Sequence, residues 1–121
     1  MATFGEFFRA MRAKKRLSLR DFCLTNGFDP GNISRLERGL LPPPESDEKL
    51  QAYAGALGIR RGSSDWFTFF DLAAAERGRI PRDVLSDTEV VQQLPVLFRT
   101  LRGQRVSEEE LDALLHRIRR A

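Results

Sequence analysis

Hydrogen-bonding side chains are concentrated in one short stretch of the chain, which holds Asn32, Ser34, Arg35 and Arg38. A carboxamide presents a donor beside an acceptor and so matches the edge of adenine, whereas a guanidinium can donate to both acceptors of guanine. Hydroxyl and guanidinium groups also bind phosphate oxygens, which position a protein on a duplex without reading its sequence. These residue types make Asn32 and Arg35 candidates for base contacts, and Ser34 and Arg38 candidates for phosphate contacts.

These side chains need a helix that projects from the protein surface, and the sequence around them predicts one. Ser18 is placed to cap a first short helix, and Gly27 ends it in the left-handed conformation that glycine adopts without strain. Asp29 is placed to cap a second helix that begins with Pro30, where the missing N–H costs nothing. Gly39 ends this second helix. The segment is therefore predicted to form two short helices joined by a tight turn.

This segment resembles the helix-turn-helix of the Xre family, the phage repressor and Cro-like DNA-binding domains. A Leu-Ser pair followed by Gly-x-x-x-x-x-Ile-Ser-x-Leu-Glu-x-Gly carries most of the likeness, which covers roughly the first half of the chain. The matching positions are Phe8, Arg12, Leu17, Ser18, Phe22, Cys23, Gly27, Ile33, Ser34, Leu36, Glu37, Gly39, Pro43, Leu50, Ala54 and Leu57. The resemblance implies that the second helix of the pair enters the major groove of double-stranded DNA.

The resemblance also implies roles for individual positions. In the family the counterparts of Arg12 and Glu37 form a structural ion pair between the first helix and the recognition helix, and we expect the same pair here. Pro30 and Gly31 stand at positions that often read bases, and we expect them to contribute by close approach or by contact with a thymine methyl group. Leu19 stands where family members commonly have a glutamine that binds a phosphate.

Positive charge is concentrated near the N-terminus. The formal net charge is only +3, yet six cations and two acids lie between Glu6 and Asp21. Such a concentration is typical of phosphate binding, although by itself it also fits a solvated basic face. Together with the helix pair it predicts a set of phosphate contacts: Ser18, Arg20, Ser34, Arg38, Lys15 and Arg16.

Apolar periodicity and capping residues predict helices throughout the chain, and no alternating run of β-branched residues favours a strand. Besides the pair, the predicted helices are residues 3–15, one from Glu45 or Ser46 to Gly58, one capped by Ser64 and stopped by Gly78, a turn or short helix near 80–85, one capped by Ser86 or Asp87, and one from Ser107. Pro95 either kinks the penultimate helix or starts a new one. We therefore expect an all-α protein with a five-helix repressor-like helix-turn-helix domain at residues 1–78 and a C-terminal helical extension at residues 79–121.

A surface for a partner is predicted on the fifth helix and the tail. The run from Trp66 to Phe70 is apolar nearly all round, so it needs cover from the tail or from a second subunit. The predicted partner contacts are Trp66, Phe70, Val91, Leu94, Leu97, Leu111, Leu115 and Ile118.

Three functional hypotheses follow. The first is a sequence-specific transcriptional regulator, most simply a repressor, that binds a palindromic operator as a homodimer, because one recognition helix reads few bases. The second is an antitoxin-type or inhibitory protein whose tail binds a toxin or a peptidase and whose DNA binding regulates its own operon. The third is a protein scaffold that keeps the fold without binding DNA.

Composition argues against other classes. No run approaches the roughly 18 apolar residues of a membrane span, and the N-terminus lacks the basic region of a secretory signal, so a cytoplasmic location is expected. One cysteine and one histidine leave no ligand set for a metal, and no motif for a cofactor is present. We expect Cys23 to be a buried packing residue and His116 a surface residue, so no catalytic residue and no enzymatic activity are predicted.

Overall fold

The computed structural model describes residues 2–120, with side chains through His116, and over this range the chain is all-α. These residues form eight helices and no strand: α1 (Phe4–Lys14), α2 (Leu19–Asn26), α3 (Pro30–Glu37), α4 (Asp47–Ala56), α5 (Ser64–Glu76), α6 (Arg82–Leu85), α7 (Thr88–Leu101) and α8 (Glu108–Arg120). They belong to two compact units, residues 2–79 with α1–α5 and residues 80–120 with α6–α8. The predicted all-α class is confirmed.

Side-chain caps determine where the helices of the first unit begin. Before each of its five helices, one side chain accepts a hydrogen bond from a backbone N–H three residues ahead, and these caps are Thr3, Ser18, Asp29, Ser46 and Ser63. Such a bond satisfies one of the N–H groups that a helix start leaves without an intrahelical partner. The caps at Ser18 and Asp29 confirm the prediction, and the cap at Ser46 decides between the two residues predicted to open the fourth helix.

The fifth cap corrects the prediction, because α5 is capped by Ser63 and not by Ser64. The Trp66 N–H donates to Ser63 Oγ at 3.2 Å. The preceding turn explains the shift of one residue, since the Ser63 N–H donates to the carbonyl of Arg60 at 3.1 Å and closes the turn there. Ser64 is consequently the first helical residue.

The core of the first unit is a cluster of aromatic rings around α1. Phe4 and Phe8 of α1 are completely buried, as are Phe22 of α2 and Phe69 of α5. The rings of Phe4 and Phe69 have their centres 4.9 Å apart. Phe8 meets Phe22 and Tyr53 edge to face, with centres 5.9 Å and 5.5 Å away. Because α1 supplies the rings that the other helices cover, it is the element against which α3 is positioned.

A close contact at Gly5 brings α1 against the end of α3. A Cβ atom on Gly5 would lie 2.4 Å from the carbonyl oxygen of Leu36 and 2.7 Å from that of Glu37. Both atoms belong to the backbone and cannot rotate away. The two helices therefore approach each other at a distance that only glycine allows.

The loop after α3 is tethered by the end of α5. Arg77 donates from Nε to the carbonyl of Pro43 at 2.6 Å and from Nη1 to Glu45 Oε1 at 3.1 Å. Pro43 itself is fully buried. These contacts fix the path by which the chain leaves α3 and enters α4.

The second unit contains three helices, with α7 packed against both α6 and α8. Asp87 caps α7 by accepting hydrogen bonds from the next helical N–H groups. Pro95 lies inside α7, which continues past it to Leu101, so the alternative in which Pro95 starts a new helix is wrong. The start of α8 has a cap in Ser107, whose Oγ accepts from the Glu110 N–H at 3.1 Å.

Candidate nucleic-acid interface

The turn between α2 and α3 fixes the direction in which α3 leaves it. Gly27 has a φ of 71°, in the left-handed region where a side chain would be strained. Phe28 follows and turns inward, with its ring centre 5.8 Å from that of Phe22 and 5.0 Å from that of Tyr53. The next residue, Asp29, caps α3. A glycine, a packed ring and a cap thus occupy three successive positions of the turn.

The two sides of α3 differ sharply in exposure. Ile33, Leu36 and Glu37 are buried, whereas Asn32 and Arg35 are exposed. Apolar contacts therefore hold one side of the helix in the core. The polar groups on the other side remain accessible to a ligand.

An ion pair between α1 and α3 reinforces this arrangement. Arg12 donates from Nε to Glu37 Oε2 at 2.7 Å and from Nη2 to Oε1 at 2.8 Å. Its Nη1 donates to the carbonyl of Leu17 at 2.9 Å, so the same side chain also holds the turn that leads into α2. The hydrogen bond to Glu37 raises the pKa of Arg12 against the opposing effect of burial, and the guanidinium stays charged. The pair implied by the family resemblance is thus present in the structure.

At the start of α3, Arg35 folds back over the helix. Its Nη2 donates to Asn32 Oδ1 at 2.8 Å. Gly31 lies beside this pair, and a Cβ atom there would lie 3.6 Å from both terminal nitrogens of Arg35 and 3.2 Å from Asp29 Oδ2. Pro30 is exposed at the first helical position. The four residues predicted to read bases therefore lie together at one end of α3.

Four predicted phosphate contacts lie on or beside α2 and α3: Ser18, Arg20, Ser34 and Arg38. Arg20 and Arg38 are exposed, and Arg38 donates from Nε to the carbonyl of Ser34 at 3.3 Å. Ser18 Oγ accepts from the Asp21 N–H at 3.1 Å, so its role in the structure is that of a cap. A capping oxygen can still donate its hydroxyl hydrogen to a phosphate.

The remaining two, Lys15 and Arg16, lie after the end of α1. The Lys15 ammonium lies 3.0 Å from where a Cβ atom on Gly58 would stand, so the side chain reaches the end of α4, where the helix dipole favours a cation. Arg16 is exposed and has a φ of 58°. Among the described residues, no other non-glycine residue has a positive φ. Lys15 therefore has a structural contact that sequence spacing did not reveal.

A cleft of about 450 Å³ borders the exposed side of α3. Asn32 and Leu36 line it from α3, and Lys49 and Tyr53 line it from α4. The Lys49 ammonium is 5.9 Å from the centre of the Tyr53 ring, within cation–π distance. Sequence reasoning missed Lys49 as a neighbour of the reading residues, because only the path of the tethered loop brings α4 beside α3.

Two of the predicted partner contacts lie on α5. Trp66 and Phe70 are half-buried, with ring centres 4.7 Å apart, and the guanidinium of Arg61 lies 5.7 Å from the Trp66 ring. Between them, Phe67 exposes 49% of its surface. Part of this aromatic run is therefore accessible.

The other predicted partner contacts belong to the second unit, where Val96 and Leu114 are buried. Phe98 and Leu101, which the prediction omitted, expose 42% and 75% of their surfaces. Ile118 lies outside the residues whose side chains the structure describes. The remaining predicted contacts are exposed or half-buried: Val91, Leu94, Leu97, Leu111 and Leu115. An apolar surface on α7 and α8 thus remains open.

Cys23 is completely buried in α2, and His116 is exposed on α8. Burial is the main cause that raises the pKa of the Cys23 thiol above its ordinary 9.0, and burial likewise raises the pKa of Tyr53 above its ordinary 10.0. At neutral pH both groups are therefore protonated, and Cys23 is a packing residue.

These two pKa shifts predict that the protein is less stable in alkali. A group whose pKa is higher in the folded state than in the unfolded state stabilises the fold fully at pH values below its unfolded-state pKa. This contribution is lost as the pH rises through its folded-state pKa. We expect the urea midpoint to fall as the pH rises above the ordinary pKa values of the two groups, 9.0 for the thiol and 10.0 for the phenol. Cys23→Ala should remove the part of this decrease that begins at the lower pH, and an identical pH profile in that variant would contradict the assignment.

Comparisons with models of protein families, with curated proteins and with solved structures find no match to this chain. Within the part of the chain that the structure describes, no helix is both long and apolar enough to cross a membrane. Over the same residues, no three His, Cys, Asp or Glu side chains form a group that could hold a metal ion.

Proposed function

We propose that this protein is a sequence-specific DNA-binding regulator, most simply a repressor, in which α2 and α3 form a helix-turn-helix. One observation carries the proposal: α3 is fixed to the core on one side and presents Asn32, Arg35 and Arg38 to solvent on the other. The major groove of B-DNA is about 12 Å wide and admits such a helix with its side chains. In this geometry the N-terminal residues of α3 face base edges while α2 crosses the phosphate backbone.

Base readout also requires that the reading helix be held rigidly. Side chains that recognise hydrogen-bonding edges have to stay within about 0.5 Å of the productive geometry. Two contacts with α1 hold α3, the bidentate pair of Arg12 with Glu37 and the backbone approach at Gly5. Both contacts act at the C-terminal end of α3, whereas the predicted reading residues lie together at the other end.

Selection from a pool of duplexes with a randomised centre tests the proposal directly. We expect the full chain to enrich an inverted repeat whose half-sites share one motif, and to lose affinity steeply as salt is added, because phosphate binding releases counterions. A pool that returns without enrichment, or binding that does not respond to salt, would contradict the proposal.

Arg35→Ala is expected to weaken binding to the selected site by about 1–3 kcal/mol and to relax the base preference at one position of each half-site. The variant removes the guanidinium that can donate to both acceptors of guanine. Fluorescence anisotropy at fixed salt, with the selected duplex and a scrambled duplex, measures the change.

Arg38→Ala is the matched control, since it removes the same group from an exposed position near the opposite end of α3. We expect it to weaken both duplexes alike and to reduce the slope of affinity against salt by about 1. Equal losses on both duplexes in Arg35→Ala would show that Arg35 binds the backbone and does not read a base.

We further propose that the exposed apolar side chains of the second unit pair two copies of the chain. A dimer places two recognition helices about one turn of DNA apart, which is how a single short helix gains enough specificity. The same surface, with Phe98 and Leu101 exposed, also suits the second candidate, an antitoxin-type or inhibitory protein that covers a toxin or a peptidase. Light scattering on the purified chain separates the two candidate functions. A homodimer supports the regulator, whereas a monomer that binds a toxin or a peptidase through α7 and α8 supports the antitoxin-type protein.

A further inference from the structure

Arg16 follows the end of α1 with a φ of 58°, in the left-handed region that favours glycine. Five other helices are followed by a residue in the same conformation, and each of these is a glycine: Gly27 after α2, Gly39 after α3, Gly58 after α4, Gly78 after α5 and Gly103 after α7. The left-handed conformation is unfavourable for a residue with a Cβ atom, because that atom crowds the following carbonyl oxygen. Arginine at this position therefore strains the backbone, whereas glycine would not.

The contacts of Arg16 within the protein do not offset this strain. The residue is exposed, and among the described residues its guanidinium has no hydrogen-bond or ion-pair partner. Its backbone N–H donates to the carbonyl of Ala13 at 3.0 Å, which glycine could do equally well. The helix dipole favours a cation at the end of α1, but Lys14 and Lys15 already supply that charge. A strained residue that the fold itself does not need indicates a functional role.

The turn that carries Arg16 is fixed relative to α3. Arg12 donates from Nη1 to the carbonyl of Leu17, the residue after Arg16, and from Nε and Nη2 to Glu37 at the end of α3. A ligand bound by Arg16 would therefore also fix the position of α3. Arg16 lies two residues before Ser18, the cap of α2, and in a helix-turn-helix the first helix of the pair crosses the phosphate backbone. A guanidinium suits a phosphate, because it can donate two parallel hydrogen bonds to it.

We propose that Arg16 is a positioning residue that binds a DNA phosphate and so sets the register of α3 on the duplex. The charge is needed at a position where the backbone favours glycine. This inference rests on the proposed function. It adds to a phosphate contact the prediction that glycine at position 16 makes the first unit no less stable while it weakens DNA binding.

Three variants of Arg16 in the full chain separate the charge from the strain. Arg16→Ala loses the charge and keeps the strain, Arg16→Gly loses both, and Arg16→Lys keeps both. We expect alanine and glycine to weaken binding to the selected and the scrambled duplex alike, by about fivefold at about 0.1 M salt, and to reduce the slope of affinity against salt by about 1. Lysine should restore that slope. A role in the fold alone would leave the salt slope unchanged.

Urea unfolding read at Trp66 is the second measurement. Arg16→Gly should unfold at a higher urea concentration than Arg16→Ala, and at one no lower than the wild type, since only glycine relieves the strain. Gly78→Ala is the matched control, because Gly78 has a φ of 69° and a Cβ atom there would meet nothing within 4 Å. It introduces the same strain at the end of α5. This control should lower the urea midpoint by about the difference between Arg16→Gly and Arg16→Ala and leave DNA binding unchanged.

Three results would overturn the assignment of Arg16. The first is an unchanged affinity and salt slope in Arg16→Gly, since the charge would then bind no phosphate. The second is a loss confined to the selected duplex, since Arg16 would then read a base. The third is equal stability of Arg16→Gly and Arg16→Ala, since the position would then not be strained. Failure of the wild type to enrich any duplex would instead overturn the proposed function, and the inference with it.

Discussion

Glu37→Gln is expected to lower the free energy of unfolding of the first unit by about 3 kcal/mol or more. Both partners of the ion pair are largely desolvated, with 12% of the Arg12 side chain and 6% of the Glu37 side chain exposed. Glutamine has nearly the same shape but no charge, so the variant leaves an uncompensated guanidinium between α1 and α3. A buried charge without its counter-charge is more costly than the pair is stabilising. Because a small domain is stable by only about 5–15 kcal/mol, the loss is a large part of the total.

Urea unfolding followed by tryptophan fluorescence measures this loss, because Trp66 in α5 is the single tryptophan and reports on the first unit. Replacing both partners, as Arg12→Met with Glu37→Leu, should restore much of the stability while leaving α3 without its hydrogen-bonded anchor. If Glu37→Gln unfolds at nearly the wild-type urea concentration, water screens the pair and the ion pair does not fix α3.

Local chemistry made much of the fold predictable from sequence. Helix starts at Ser18 and Asp29 could be assigned because a capping side chain acts within three residues of itself, and the start of α4 could be narrowed to Glu45 or Ser46. The exposed polar positions of α3 could be assigned for a similar reason, since the 3.6-residue period places Ile33 and Leu36 on one side and Asn32 and Arg35 away from it.

Contacts between distant segments were not predictable in this way. Neither was the choice between two adjacent residues of the same type as the cap of a helix. Ser63 and Ser64 are the same residue type, and only the hydrogen bond that closes the preceding turn decides which one caps α5. The contact of Lys15 with the end of α4 depends on how two helices pack. The bond between Arg35 and Asn32 depends on the choice of rotamers, which residue type does not specify. The site could therefore be located from sequence, but the donors and acceptors that it presents could not.

Gly5→Ala is expected to lower the free energy of unfolding of the first unit by about 3 kcal/mol or more and to weaken specific DNA binding. Overpacking usually costs about 1–3 kcal/mol, because a side chain can rotate to relieve it. Here the new methyl group would meet the backbone oxygens of Leu36 and Glu37 at 2.4 Å and 2.7 Å, so α1 and α3 have to separate. Separation also stretches the bidentate pair of Arg12 with Glu37. Urea unfolding read at Trp66, together with anisotropy on selected and scrambled duplexes, measures both effects.

Gly55→Ala is the control that isolates the contact from the substitution. Gly55 also lies within a helix, α4, but a Cβ atom there would meet nothing within 4 Å. Alanine is the better helix former by up to about 1 kcal/mol, so this variant should be as stable as the wild type or more stable, with unchanged DNA binding. Alanine at Gly5 brings the same gain in helix propensity, which opposes the expected loss of stability. The measured difference between the two variants therefore does not overstate the cost of the contact. If the two variants are equally stable, α1 can move away from α3 without penalty, and the rigidity that base reading requires has to come from the ion pair and the turn alone.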